Sequence, residues 1–159
     1  MARKTSQPAS RTRKPKPEAA PATLPPMTAA EEQNWAMLAH LSVLVNLVTG
    51  SLGPVVALLI YLTFKDRSRY VAFQALQATF FQLVWWLGLG LVIALTWVWT
   101  GLLSAIVIGI FCIPFACVIT LLPLYPLVHG VIGGVRCSRG EDFMYPWIGP
   151  WVRRTMMPV

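Results

Sequence analysis

The amino-acid sequence predicts an all-α, polytopic integral membrane protein with four transmembrane helices, the first two forming a short hairpin. Charge distribution is the first reason. Asp, Glu, Lys and Arg are confined to residues 1–32, 65–69 and 136–154, so residues 33–64 and 70–135 carry none. An ionised side chain at the centre of a bilayer costs roughly 2.5–3.5 kcal/mol or more, and charge-free intervals rich in Leu, Val, Ile, Phe and Trp read as membrane spans. Composition is the second. The chain is 56% hydrophobic and 12% charged, with a mean hydropathy of +0.61, which is too apolar for a soluble domain of this size. Thirteen Lys and Arg against six Asp and Glu give a net charge of +7. In a soluble protein that excess suggests nucleic acid. Here it follows the enrichment of cytoplasmic segments in Lys and Arg, and no nucleic-acid partner is expected.

Residues 1–27 read as a disordered tail. Arg3, Lys4, Arg11, Arg13, Lys14 and Lys16 face only Glu18, and six prolines exclude a helix. No apolar stretch followed by small residues marks a cleaved signal. The membrane domain is placed at residues 28–152, with helices at about 29–49, 54–64, 70–96 and 101–135, and residues 153–159 as a short C-terminal tail.

The first helix opens on Thr28 with Glu31 three positions on, the pattern of a capping box. It breaks at Gly50, Ser51, Gly53 and Pro54, since glycine takes turn dihedrals and proline starts a new helix well. Residues 35–49 would reach about 22 Å and residues 54–64 about 17 Å, both short of a hydrocarbon core of roughly 30 Å. Length alone leaves two spans, a re-entrant hairpin or one kinked span open. Charge favours the hairpin, because it returns the basic loop of Lys65, Arg67 and Arg69 to the side of the basic tail.

Residues 70–96 then make a full helix. The uncharged run Trp97, Val98, Trp99 and Thr100 is expected to connect at the far interface, where its tryptophans suit an aromatic belt. Residues 101–135 return, kinked or ended by Pro114, Pro123 and Pro126. Arg136 and Arg139 join Lys65, Arg67 and Arg69 on one side, as candidate contacts for lipid headgroups. The predicted topology is a bacterial plasma-membrane protein with both termini cytoplasmic.

Polar side chains within the spans are the candidate functional residues. Gln74, Gln77 and Gln82 share an arc of the third helix, and Ser42, Asn46 and Thr49 follow one another at helical spacing on the first, with His40 nearly opposite. They serve either as interhelical hydrogen bonds or as the lining of a groove for a polar client. Gly101, Ala105 and Gly109 repeat every four positions, and Gly130 with Gly134 makes a GxxxG. Both suggest a close helix-packing face. Catalytic chemistry is not expected. Cys112 and Cys117 lie about 140° apart on a helix, His40 and His129 lack ligand-spaced partners, Ser104 lacks a nucleophile setting, and the spans hold no acid pair. No enzyme activity, cofactor or metal site is expected.

The order WAMLAHLS, LVTGSLGPVVALLIYL, KDRSRYVAFQALQATFFQL and GEDFMYPWIG, covering residues 31–152, resembles a bacterial family of small four-helix membrane proteins of unknown function. That family is similar in turn to the channel-type small subunit of the chloroplast inner-envelope import translocon (Tic-like). Relatives often carry His where Gln74 stands. The resemblance implies four spans and a part in protein translocation, insertion or assembly. The alternative is a structural accessory subunit of a larger membrane complex. Expected partners are membrane lipids, with other membrane proteins or a second copy of the chain.

Overall fold

The structure, a computed structural model, describes residues 25–156, and all of its regular elements are helical. The basic tail therefore lies almost wholly outside the described residues. The helices are α1 (Ala29–Leu41), α2 (Val45–Thr49), α3 (Gly53–Phe64), α4 (Arg69–Gln82), α5 (Gly88–Ser104), α6 (Ile108–Thr120), α7 (Leu124–Ser138) and α8 (Ile148–Met156). A 3₁₀ turn, Ser42–Leu44, joins α1 to α2, and a π turn, Leu83–Leu87, joins α4 to α5.

Local chemistry sets the boundaries. Thr28 Oγ1 accepts from the Glu31 amide at 3.3 Å, and Glu31 Oε2 accepts from the Thr28 amide at 2.8 Å, completing the capping box. These bonds to Thr28 hold the Glu31 carboxyl below its usual value. α2 stops at Gly50, whose φ of 80° no β-branched residue would take at ease. Ser68 caps α4 by accepting from the Val71 amide at 3.2 Å while donating to Glu32 Oε1 at 2.6 Å. That second bond pins the turn between α3 and α4 to the start of α1.

Two stretches, Arg69–Ser104 and Ile108–Ser138, are long and apolar enough to cross a membrane, and Gly53–Phe64 is apolar but short. Among the described residues, then, two stretches are long enough for full spans, and α1, α2 and α3 form a short hairpin. Two expectations are corrected. α5 runs through Trp97–Thr100 without a break, and the chain turns at residues 105–107, where Val107 has a φ of 71°. The returning segment is broken at residues 121–123, between α6 and α7, where Pro123 is among the prolines expected to kink or end it. α8 also continues helix to Met156, through the start of the supposed C-terminal tail.

The molecule divides into two zones along its length. α1, α3, α4, α7 and α8 pack into a bundle at the level of Arg69–Gln82. Its core holds Ala36, Ala57, Ala78, Phe81, Cys137, Phe143 and Tyr145, with Ala39, Ile60, Phe64, Val71 and Ala75 alongside. Beyond Gln82 the π turn, α5 and α6 continue as a two-helix hairpin, tied by Trp97 Nε1 donating to Thr120 Oγ1 at 3.0 Å. Gly109 is buried where that hairpin turns, and a methyl group there would fall on the backbone of Thr100 and Ser104.

Candidate functional site

The polar residues of the bundle converge on α4 from two sides. On one side lies the closing segment, residues 140–147, which carries no helix. It descends beside α4. The Tyr70 hydroxyl donates to the Glu141 carbonyl at 2.9 Å, Gln74 Nε2 donates to Asp142 Oδ1 at 3.3 Å, and Gln77 Nε2 donates to the Phe143 carbonyl at 2.7 Å. Gln77 Oε1 accepts from the Tyr145 amide at 3.3 Å, and the Tyr145 ring stacks on Phe81 with centroids 3.7 Å apart. Trp147, with a φ of 66°, then reverses the chain into α8. Irregular backbone at membrane depth survives only where protein or water satisfies it. The Gln77 side-chain amide supplies both missing partners for this segment.

Donor directions follow from one anchor. A carboxylate only accepts, so Asp142 fixes Gln74 with its NH₂ outward and its Oε1 inward. That oxygen accepts from Gln77 Nε2 and sits 2.9 Å from His40 Nε2. His40 Nε2 must therefore carry the proton, leaving Nδ1 to accept from the Tyr145 hydroxyl at 2.9 Å. The result is an unbroken chain, Tyr145 to His40 to Gln74 to Asp142, ending where Asp142 pairs with Arg153. Arg153 in turn lies over the Phe73 ring, 4.8 Å from its centroid.

The second side lies one turn further along α4. Gln82 Nε2 donates to Ser42 Oγ at 2.9 Å, Asn46 Nδ2 donates to Gln82 Oε1 at 3.3 Å, and the Gly53 amide donates to Asn46 Oδ1 at 2.7 Å. The Ser42 hydroxyl in turn donates to the Ala39 carbonyl at 2.8 Å. A methyl group on Gly53 would fall on the amide groups of both Asn46 and Gln82, so the close approach of the hairpin turn to α4 needs glycine.

Five of the six stripe residues, Ser42, Asn46, Gln74, Gln77 and Gln82, are thus buried and bonded within the bundle. Of these five, Ser42 also borders a groove between α1 and α3. Thr49 stands apart at the exposed tip, donating to the Val45 carbonyl. Gly130 lies against Val43 and Gly134 against Leu41, at the contact of α7 with α1. Gly101, Ala105 and Gly109 do not share a helix, because the turn at residues 105–107 falls among them; Gly101 has open space above it and Ala105 is exposed. Lys65, Arg69, Arg136 and Arg139 are exposed, Arg67 is half-buried, and all five lie at the end of the bundle away from the α5–α6 hairpin.

Sequence reasoning missed His40 and Tyr145. His40 lies on α1, nearly opposite the stripe that Ser42 and Asn46 make in the 3₁₀ turn and α2, and it is fully buried. Tyr145 is more than 60 residues from Gln77 along the chain, and only the closure GEDFMYPWIG hinted at it.

Residues 31–152 match the model of the magnetosome magnetite crystal formation protein family, MamF/MmsF. The chain belongs to that family. The matched residues run from Glu31 in α1 to Val152 in α8, so the hairpin and the hydrogen-bonded residues from His40 to Tyr145 fall within the MamF/MmsF region, while Thr28 and Arg153 lie just outside it. The family is one of small membrane proteins, as the resemblance implied, and its stated process is membrane-associated crystal formation. Nothing in the match supports similarity to the import translocon. No curated protein and no solved structure matches the chain.

Proposed function

We propose that this chain is a non-enzymatic accessory membrane protein of magnetite crystal formation, acting as a scaffold within the membrane that surrounds the mineral. One observation carries the reading. The polar side chains that would have to bind a client, a substrate or an ion inside the bundle are already bonded to one another, leaving apolar surface and a basic rim for contact with lipid and neighbouring proteins. Among the described residues, no three His, Cys, Asp or Glu side chains converge at metal-binding distance. Both termini and the loop of Lys65, Arg67 and Arg69 face the cytoplasm in this reading, and the turn at residues 105–107 faces the opposite compartment.

The test is genetic replacement in a magnetite-forming host, with crystals measured by electron microscopy. Loss of the chain should alter crystal size or number, and the wild-type chain should restore them. Gln77→Leu, which strips the closing segment of its partners, should fail to restore them, while Ala105→Leu should succeed. Crystals unchanged by loss of the chain would overturn the proposal.

A further inference from the structure

The two zones differ in width, and that difference has a mechanical consequence. At the level of Arg69–Gln82 five helices lie side by side, whereas at the level of α5 only two do. At interaxial distances of about 9 Å each helix claims roughly 80 Å², so the cross-sections are about 400 Å² and 160 Å². The bundle zone is 14 residues of α4 deep, about 21 Å, which is close to one leaflet with its headgroups.

Three observations place the wide zone in lipid and on one side. The outer face of α3 exposes Val55, Leu58, Leu59 and Leu62, and the hairpin tip exposes Leu47, Val48 and Leu52, the second of these by 89%. Apolar surface this continuous calls for acyl chains. A mainly apolar groove of about 390 Å³ between α1 and α3, lined by Trp35, Leu38, Val56 and Leu59, opens on the same zone. Among the described residues, every Lys and Arg lies at the far end of the bundle, and none lies between residues 70 and 135. Glu31, Glu32, Asp66, Glu141 and Asp142 share that end, but the cations outnumber them, and Lys65, Arg67, Arg69, Arg139 and Arg154 stand outside the two ion pairs. The charged end therefore fits the anionic headgroups of a single leaflet and sets the direction of insertion.

We infer that the chain is a wedge in the bilayer: its bundle enters the leaflet on the basic side, its hairpin alone crosses the other, and it favours membrane that is convex on the basic side. Extra volume in one leaflet expands that leaflet against its neighbour, and bending relieves the mismatch, as it does for amphipathic helices inserted from one face. The π turn at Leu83–Leu87, where the helical ladder widens, lets the narrow zone tilt relative to the wide one. This property is separate from any role in mineral growth and needs no mineral for its test.

The test uses the full chain, labelled at its N-terminus and reconstituted into giant vesicles containing anionic lipid, from which narrow membrane tubes are pulled. A membrane-impermeant quencher identifies molecules whose basic end faces outward. Those molecules should be enriched several-fold on the tube relative to the flat membrane, and molecules inserted the other way should be depleted. Equal density on tube and flat membrane for both orientations, or sorting of the same sign in both, would overturn the inference.

Discussion

α4 and α5 belong to one continuous helical stretch and meet opposite surroundings. Ten of the 14 residues of α4 are buried, three of them glutamines, whereas α5 buries only Thr100 among 17. The more apolar half of the stretch is the more exposed half. In water the reverse would hold, because apolar burial drives folding there. Around α5 and α6 lipid replaces the missing core, so the hairpin needs little from its neighbours, while the bundle is specified by hydrogen bonds that lipid cannot supply. Specificity thus sits in the polar zone and solubility in the membrane sits in the apolar one.

The sharpest way to break this contrast is Gln77→Leu. It leaves the Phe143 carbonyl and the Tyr145 amide unpaired in a buried site, and each orphaned group costs about 1–3 kcal/mol. Stability in detergent should fall by about 2–6 kcal/mol, read as a large drop in unfolding temperature. An unchanged midpoint would show that the closing segment is not held by this side chain.

A second change tests the hairpin itself. Gly109→Ala places a methyl group on the backbone at the α5–α6 turn, and the expected loss is about 1–3 kcal/mol. The damage should stay local. Hydrogen exchange should quicken in α5 and α6 while the amides of α4 keep their protection; uniform loss would mean that the zones fold as one unit.

Ala105→Leu should do least of the substitutions. Ala105 is exposed in the turn, and surface changes of this kind stay within about 0.5 kcal/mol. A large destabilisation in the isolated chain would reveal packing against α5 and α6 that the hairpin otherwise lacks.

Acid should act on the bundle side alone and weakly. The Glu31 carboxyl is held below its usual value by its bonds to Thr28. Its contribution is present above the unfolded carboxylate value and is lost as pH falls through the lower folded one. Exchange at the first turn of α1 should therefore rise only well into the acid range, with α5 unaffected. A first turn that frays near neutral pH would contradict the capping assignment.

Legibility in the sequence followed the same division. The charge-free intervals, the capping box at Thr28 and Glu31, the break at Gly50 to Pro54 and the polar stripe on α4 were all readable, because each is a local pattern with a local cause. The turn between α5 and α6 is not readable, because Trp97 and Trp99 point to an interface at residues 97–100 and no charge or proline marks residues 105–107. The stripe residues were recognised without their partners. Gln77 finds its partners at Phe143 and Tyr145, and no spacing rule reaches across that distance. The shortness of the α1 to α3 hairpin is readable from the break at Gly50 to Pro54, but the bonds by which Asn46 joins Gln82 and the Gly53 amide are not.

The position of the closing segment also dictates an order of events during synthesis. Residues 140–147 follow α7 in the chain, so His40, Gln74 and Gln77 leave the ribosome before Tyr145 and the Phe143 carbonyl exist. Synthesis adds roughly 5–20 residues per second, so for several seconds these three side chains can bond only one another within the chain, and the partners at Asp142, Phe143 and Tyr145 are still missing. During that interval the nascent chain is open to any passing helix with a donor or acceptor to offer. The bundle can therefore close only once residues 140–147 emerge, because they bring the partners that His40 and Gln77 still lack.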